Sequence, residues 1–209
     1  MIKKLLKAGF NIMPEFVRNI YFERLRKRGL QHLQNRHRVK QLAVQYYQRK
    51  YNSNILVETG TYLGDMVWAQ KDYFKKIYSI ELGLELWENA VNRFKDYPYI
   101  FILQGDSGQT LNEVIPLLDE IAVFWLDGHY SAGITAKGEK ECPIFEELEA
   151  VFKSDLNHIL LIDDAMLFDG TADYPTMTEL ERFVFDNRPE SNIEVKDDII
   201  RVEIVNTQK

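Results

Sequence analysis

Five short apolar runs rich in β-branched residues recur along the chain at nearly even spacing, and nothing else in the sequence restricts its fold as much. They begin at Ile55, Ile77, Ile100, Ile121 and Ile159, with start-to-start intervals of 22, 23, 21 and 38 residues. One strand, one crossover helix and two short loops fill about that length, and runs apolar on both faces suit parallel strands covered by helices. The spacing predicts a doubly wound α/β sheet. The long fourth interval predicts roughly fifteen extra residues after the fourth strand. These are the polar stretch from Tyr130 to Cys142, ahead of a helix opening at Pro143. Near the end, Ile193–Lys196 and Ile199–Val205 flank Asp197 and Asp198, which reads as a hairpin and adds an antiparallel pair at the sheet edge. The expected sheet is therefore seven-stranded and mostly parallel. Trp68, Trp87 and Trp125 are expected to pack between helices and sheet.

Ligands of open α/β sheets bind beyond the carboxyl ends of the strands. Here every such end is acidic. The first strand runs into Glu58-Thr59-Gly60-Thr61-Tyr62-Leu63-Gly64, the second into Glu81, and the third into Gly105-Asp106-Ser107. The fourth ends in Asp127-Gly128-His129 and the fifth in Asp163-Asp164. A carboxylate accepts through two oxygens, so Glu81 is placed to hold both hydroxyls of a ribose, with Asp106 and Ser107 toward an adenine amino group. A nucleotide with phosphates wants a Gly-x-Gly-x-x-Gly turn or a lysine-bearing loop. The glycines here are Gly60 and Gly64, no lysine lies between them, and Glu58 stands at the mouth. S-adenosylmethionine fits those charges better, because it carries a sulfonium and an ammonium in place of a diphosphate. Acidic residues at helix starts also serve as caps, which is the bland reading of Glu58, Glu81, Asp106, Asp163 and Asp164.

Taken in order, Val57 to Gly64, Ser79-Ile80-Glu81-Leu82, Gly105-Asp106-Ser107 and Trp125-Leu126-Asp127-Gly128-His129 resemble the motifs of class I S-adenosylmethionine-dependent methyltransferases. Tyr62 stands where many members have a glycine. The resemblance implies a Rossmann-like fold whose reversed last strand is the terminal hairpin. It implies a cofactor held by Glu58, Thr59, Gly60, Thr61, Gly64, Glu81, Leu82, Asp106, Ser107 and Asp127. A shorter likeness, Leu126-Asp127-Gly128-His129 with Leu161-Ile162-Asp163-Asp164, is to metal-dependent sugar O-methyltransferases of the macrocin O-methyltransferase type. That likeness implies Mg²⁺ held by Asp127, Asp163 and Asp164, a hard oxygen site. It also implies Asp127 and His129 as the catalytic pair, and a small-molecule hydroxyl, a sugar's among them, as methyl acceptor. His129 reads equally well as a loop histidine. A nucleotide-dependent oxidoreductase and a noncatalytic nucleotide binder are the alternatives on the same fold. The stretch from Ser131 to Gly138 reads as a lid over the acceptor or as an ordinary surface loop.

Residues 1–50 hold 13 Lys and Arg against 2 Asp and Glu, whereas residues 51–209 hold 13 against 30. An acidic body repels a nucleic-acid backbone, so no nucleic-acid partner is expected. The chain divides into a basic helical N-terminal extension, 1–50, and the methyltransferase domain, 51–209. Pro14 suits a first helical turn and Gly29 a stop. Three readings of the extension stay open: it walls the acceptor pocket, it lies on an anionic membrane through Ile2, Leu5, Leu6 and Phe10, or it joins two copies as a homodimer. A single cysteine, Cys142, makes no intrachain disulfide, and no apolar run is long enough to span a bilayer, so a cytoplasmic location is expected.

Overall fold

The computed structural model describes residues 36–128 and 142–205. By its internal contacts the chain divides into two compact units, Met1–Lys40 and Gln41–Lys209. The described residues open in a helix (α1, 36–51), whose residues from 41 on belong to the second unit, and continue as alternating strands and helices. These are β1 (Ile55–Thr59), α2 (Asp65–Gln70), β2 (Lys76–Glu81), α3 (Leu84–Phe94), β3 (Ile100–Gln104), α4 (Ser107–Val114), β4 (Ala122–Leu126), α5 (Ile144–Val151), β5 (Ile159–Ile162), α6 (Met177–Asn187), β6 (Asn192–Lys196) and β7 (Ile199–Glu203).

All seven strands form one sheet in the order β3-β2-β1-β4-β5-β7-β6. The first five are parallel, and β7 runs antiparallel to both β5 and β6. Strand alternation sorts the core into two layers. Ile55 and Val57 of β1, Phe124 of β4 and Leu160 of β5 pack on one side with α4, α5 and α6. Leu56, Trp125 and Leu161 pack on the other with Val44 and Tyr47 of α1, Val67 of α2 and Phe94 of α3. Both faces are thus covered, which is why the inner strands read as unbroken apolar runs. At the edge, β3 is mostly exposed or half-buried.

The tryptophan expectation needs one correction. Trp125 is buried in the sheet, and Trp87 donates its indole N–H to the Ile102 carbonyl at 3.1 Å. Trp68 is 45 % exposed. It lies under the Lys71 ammonium, 5.0 Å from the ring, and the Arg93 guanidinium, 5.3 Å away, and beside the rings of Phe94 and Tyr97, so cations share its cover with aromatic rings at the surface. Cys142 is buried, and burial pushes its thiol up to about 12, which makes it unreactive at neutral pH.

Candidate cofactor-binding site

Because β1, β2, β3, β4 and β5 are parallel, their carboxyl ends share one edge of the sheet, and the order change between β1 and β4 opens a crevice there. The loop after β1 is shaped by close backbone approach. Gly60 has φ of +80°, and a Cβ there would lie 2.2 Å from the Asp127 carbonyl oxygen, so no other residue fits between β1 and β4. The N–H groups of Gly60 and Thr61 both bond to the Ile80 carbonyl, at 2.9 and 3.2 Å. Arg93 of α3 clamps the far end of the loop by donating to the Leu63 carbonyl and, at 2.8 Å, to Asp65.

Glu81 at the tip of β2 is 5 % exposed and organises two loops at once. One carboxylate oxygen accepts the Tyr62 N–H and the other the Gly83 N–H, each at 2.8 Å. An ionised carboxylate has about four acceptor sites, so each oxygen retains a lone pair after these bonds. Tyr62 itself adopts φ of 49°. A bulky residue is strained there, by roughly 1 kcal/mol or more, and the Glu81 bond offsets that strain. The left-handed turn that glycine would supply is thus kept with tyrosine in its place.

Glu58 differs from the sequence expectation in charge. It lies within β1, in register with Ser79 of β2, and is 1 % exposed. Ser79 donates its hydroxyl to the carboxyl, and since that proton is committed, Thr61 Oγ1 donates to Ser79 Oγ at 2.6 Å. Burial, aided by the nearby Glu81 charge, pushes the Glu58 carboxyl up to about 8. At neutral pH it is therefore mostly protonated. Glu58 is a neutral prop beneath the loop, not a negative charge at its mouth.

Beyond β3, Gly105 bonds through its N–H to the Glu81 carbonyl at 2.9 Å. Asp106 caps α4, its Oδ1 accepting the Gln109 N–H at 3.2 Å, and Ser107 follows as the first helical residue. The Leu82 carbonyl accepts from Gln104 at 3.0 Å, tying the ends of β2 and β3. At the end of β4 the Asp127 N–H reaches both the carbonyl and Oγ1 of Thr59, at 3.2 Å each. The residues named for the cofactor from Glu58 to Asp127 thus gather along one edge of the sheet. His129 and the lid candidate from Ser131 to Gly138 lie outside the described residues.

The magnesium expectation meets a different geometry. Among the described residues no three His, Cys, Asp or Glu side chains converge as a metal would require. Asp127, Asp163 and Asp164 therefore do not form the ligand set by themselves. Asp163 is buried and turns one oxygen back to the Asp164 N–H at 2.8 Å. Asp164 has φ of 51°, so the acidic pair shapes its own turn. Sequence reasoning also passed over Glu147 on α5, which is 2 % exposed. The available signal was its place three residues after Ile144, on the same helix face.

No protein-family model matches this sequence, and no curated protein matches it either. Solved structures do share its fold. The methyltransferase PaMTH1 of Podospora anserina, solved with S-adenosylhomocysteine bound, superposes with a TM-score of 0.57 at 16 % identity, covering 81 % of this chain and 79 % of that one. An O-methyltransferase from Bacillus cereus, also with S-adenosylhomocysteine, gives 0.59 at 13 % identity over 80 % and 81 % of the two chains. TomG from Streptomyces achromogenes, an O-methyltransferase involved in tomaymycin synthesis and solved with S-adenosylmethionine, gives 0.55 at 16 % over 80 % of each. The chain has the Rossmann-like methyltransferase fold: a seven-stranded sheet, mostly parallel, closed by an antiparallel C-terminal hairpin. No helix among the described residues is long and apolar enough to cross a membrane.

Proposed function

We propose that this protein transfers a methyl group from S-adenosylmethionine to a hydroxyl of a small molecule, with a sugar as the acceptor class. The observation that carries the reading is Glu81. Its carboxylate holds the loops after β1 and β2 through Tyr62 and Gly83 and keeps a lone pair on each oxygen at the crevice, the arrangement a ribose diol needs. That the fold is shared with structures holding S-adenosylmethionine or S-adenosylhomocysteine supports the same choice of ligand. The sugar acceptor rests on the resemblance carried by Asp127 to His129 and by Asp163 and Asp164.

In methyl transfer the acceptor oxygen attacks the methyl carbon in line with the breaking S–C bond. The bond's electrons return to sulfur, and the hydroxyl proton passes to a base. Positioning supplies much of the rate, which is the work of the Gly60 turn and of Glu81. Asp127, at the β4 end, and His129 after it are the residues assigned to the acceptor side, with His129 as the base.

Titration calorimetry with S-adenosylhomocysteine and with NAD tests the reading. S-adenosylhomocysteine is expected to bind and NAD not to. Binding of NAD alone would favour the oxidoreductase alternative and overturn the proposal.

A further inference from the structure

The outer half of the loop after β1 is held from a single neighbouring segment. Tyr62 and Leu63 are exposed, so burial does little to fix them. Polar contacts from β2 and α3 do so instead. Glu81, at the tip of β2, accepts the Tyr62 N–H at 2.8 Å. Arg93, in the last turn of α3, donates through Nη1 to the Leu63 carbonyl and, at 2.8 Å, to the Asp65 carboxylate. Between those two bonds the Phe94 ring lies directly against Gly64, where a Cβ would come within 2.8 Å of Cε2. Four successive residues, Tyr62 to Asp65, are thus met by β2 and α3. The guanidinium is itself fixed, since its centre stands 5.3 Å from the Trp68 ring and 5.5 Å from the Phe94 ring. A planar fork between aromatic faces keeps the orientation that two acceptors require.

We infer that Arg93 is a positioning residue for the cofactor: by holding Leu63 and Asp65 it keeps the loop after β1 in the conformation that receives the ligand, and it adds little to the stability of the fold. The two effects separate because of exposure. The Arg93 side chain is 32 % exposed and Asp65 more so, and ion pairs so placed contribute little to folding. A loop fixed before the ligand arrives, however, removes the cost of ordering it from the binding step. Glu81 bonds the same loop one residue before Leu63, so a displacement at Leu63 is passed to Tyr62 and to the carboxylate that would hold the ribose. Arg93 acts through these residues, from the far end of the helix that follows Glu81. The inference rests on the cofactor reading proposed above.

The test is calorimetry of the full chain with S-adenosylhomocysteine, paired with thermal melting and with hydrogen exchange of the backbone amides. Arg93→Met keeps a stem over Trp68 and Phe94 and removes the donors. It is expected to lower affinity about tenfold and to melt within about 3 °C of the wild type. Exchange should quicken over residues 62–65 and stay unchanged across the strands. Arg93→Lys returns one donor on the same stem and is expected to bind within about threefold of the wild type. Arg93→Met with wild-type affinity, or with unchanged exchange over that stretch, overturns the inference, and so does Arg93→Lys as weak as Arg93→Met. Melting lowered by more than about 5 °C, with faster exchange throughout the sheet, would mark a purely structural role and overturn it as well. Should Arg93→Met fail to fold, Asp65→Ala leaves Arg93 on the Leu63 carbonyl and is expected to weaken binding about threefold, and wild-type affinity there overturns the inference equally. A wild-type chain that does not bind S-adenosylhomocysteine removes the cofactor reading itself, and this inference with it.

Discussion

Replacing Glu58 by Gln is expected to flatten the dependence of stability on pH, and the size of the effect follows from the burial of one carboxyl. Its pKa is pushed from 4.5 to about 8 in the folded chain. Between those values the folded state keeps a proton that the unfolded state has released, so stability falls as pH rises through that window. One unit corresponds to ~1.4 kcal/mol, so the whole displacement amounts to ~5 kcal/mol. From about pH 5.5 to about pH 8.5, close to ~3 kcal/mol of that is lost. Gln has the same shape and accepts the Ser79 hydroxyl through Oε1, but it does not titrate. The stability difference between Glu58→Gln and wild type should therefore widen by ~3 kcal/mol in favour of Gln over that range. Urea unfolding followed by circular dichroism, at matched ionic strength and at both ends of the range, measures it. Contributions from other groups cancel in the difference, apart from Glu81, whose charge acts on Glu58. A gap that changes by less than about 1 kcal/mol would mean that Glu58 ionises freely in the folded protein, and the account of it as a neutral prop would be wrong.

His158 gives the opposite slope. It is buried, accepts the Ala122 N–H at 3.1 Å, and is lowered from 6.5 to about 4 by burial. The unfolded chain takes up that proton first as pH falls, so the Glu58→Gln protein should lose ~3 kcal/mol between about pH 6.5 and about pH 4. An imidazole seen by NMR to titrate near its ordinary value would refute this. Glu81→Ala removes the bonds to Tyr62 and Gly83, and S-adenosylhomocysteine affinity should fall by about tenfold or more. Unchanged affinity takes Glu81 out of the site. Chelation with EDTA should leave that affinity within about twofold, because the bonds that shape the loops around Glu81 involve no metal ligand. A large loss restored by Mg²⁺ would show that Asp127, Asp163 and Asp164 rearrange around an ion.

The sequence made the strands legible because β1, β4 and β5 are buried on both faces, which forces continuous apolar runs. Their acidic ends were legible for the same reason: parallel strands bring Glu81, Asp106 and Asp127 to one edge whatever their side chains do afterwards. What a strand pattern does not carry is where a proton sits. Glu58 and Glu81 read alike as acids at strand ends. Yet Glu58, pointing into the sheet beside Ser79, is neutral at pH 7, while Glu81 accepts two backbone N–H groups in the crevice. The difference depends on the pairing of β1 with β2, a contact between residues about twenty apart in the chain, so no local pattern reveals it. Asp163 shows the same limit, since one of its oxygens turns to the next residue's N–H. Trp68 fails for another reason, because α2 is a single short helix whose ring is covered by Lys71 and Arg93. Glu147 lies between these cases. Its i+3 spacing from Ile144 places a carboxylate on an apolar face, and that conflict between residue type and position is a local signal in the sequence.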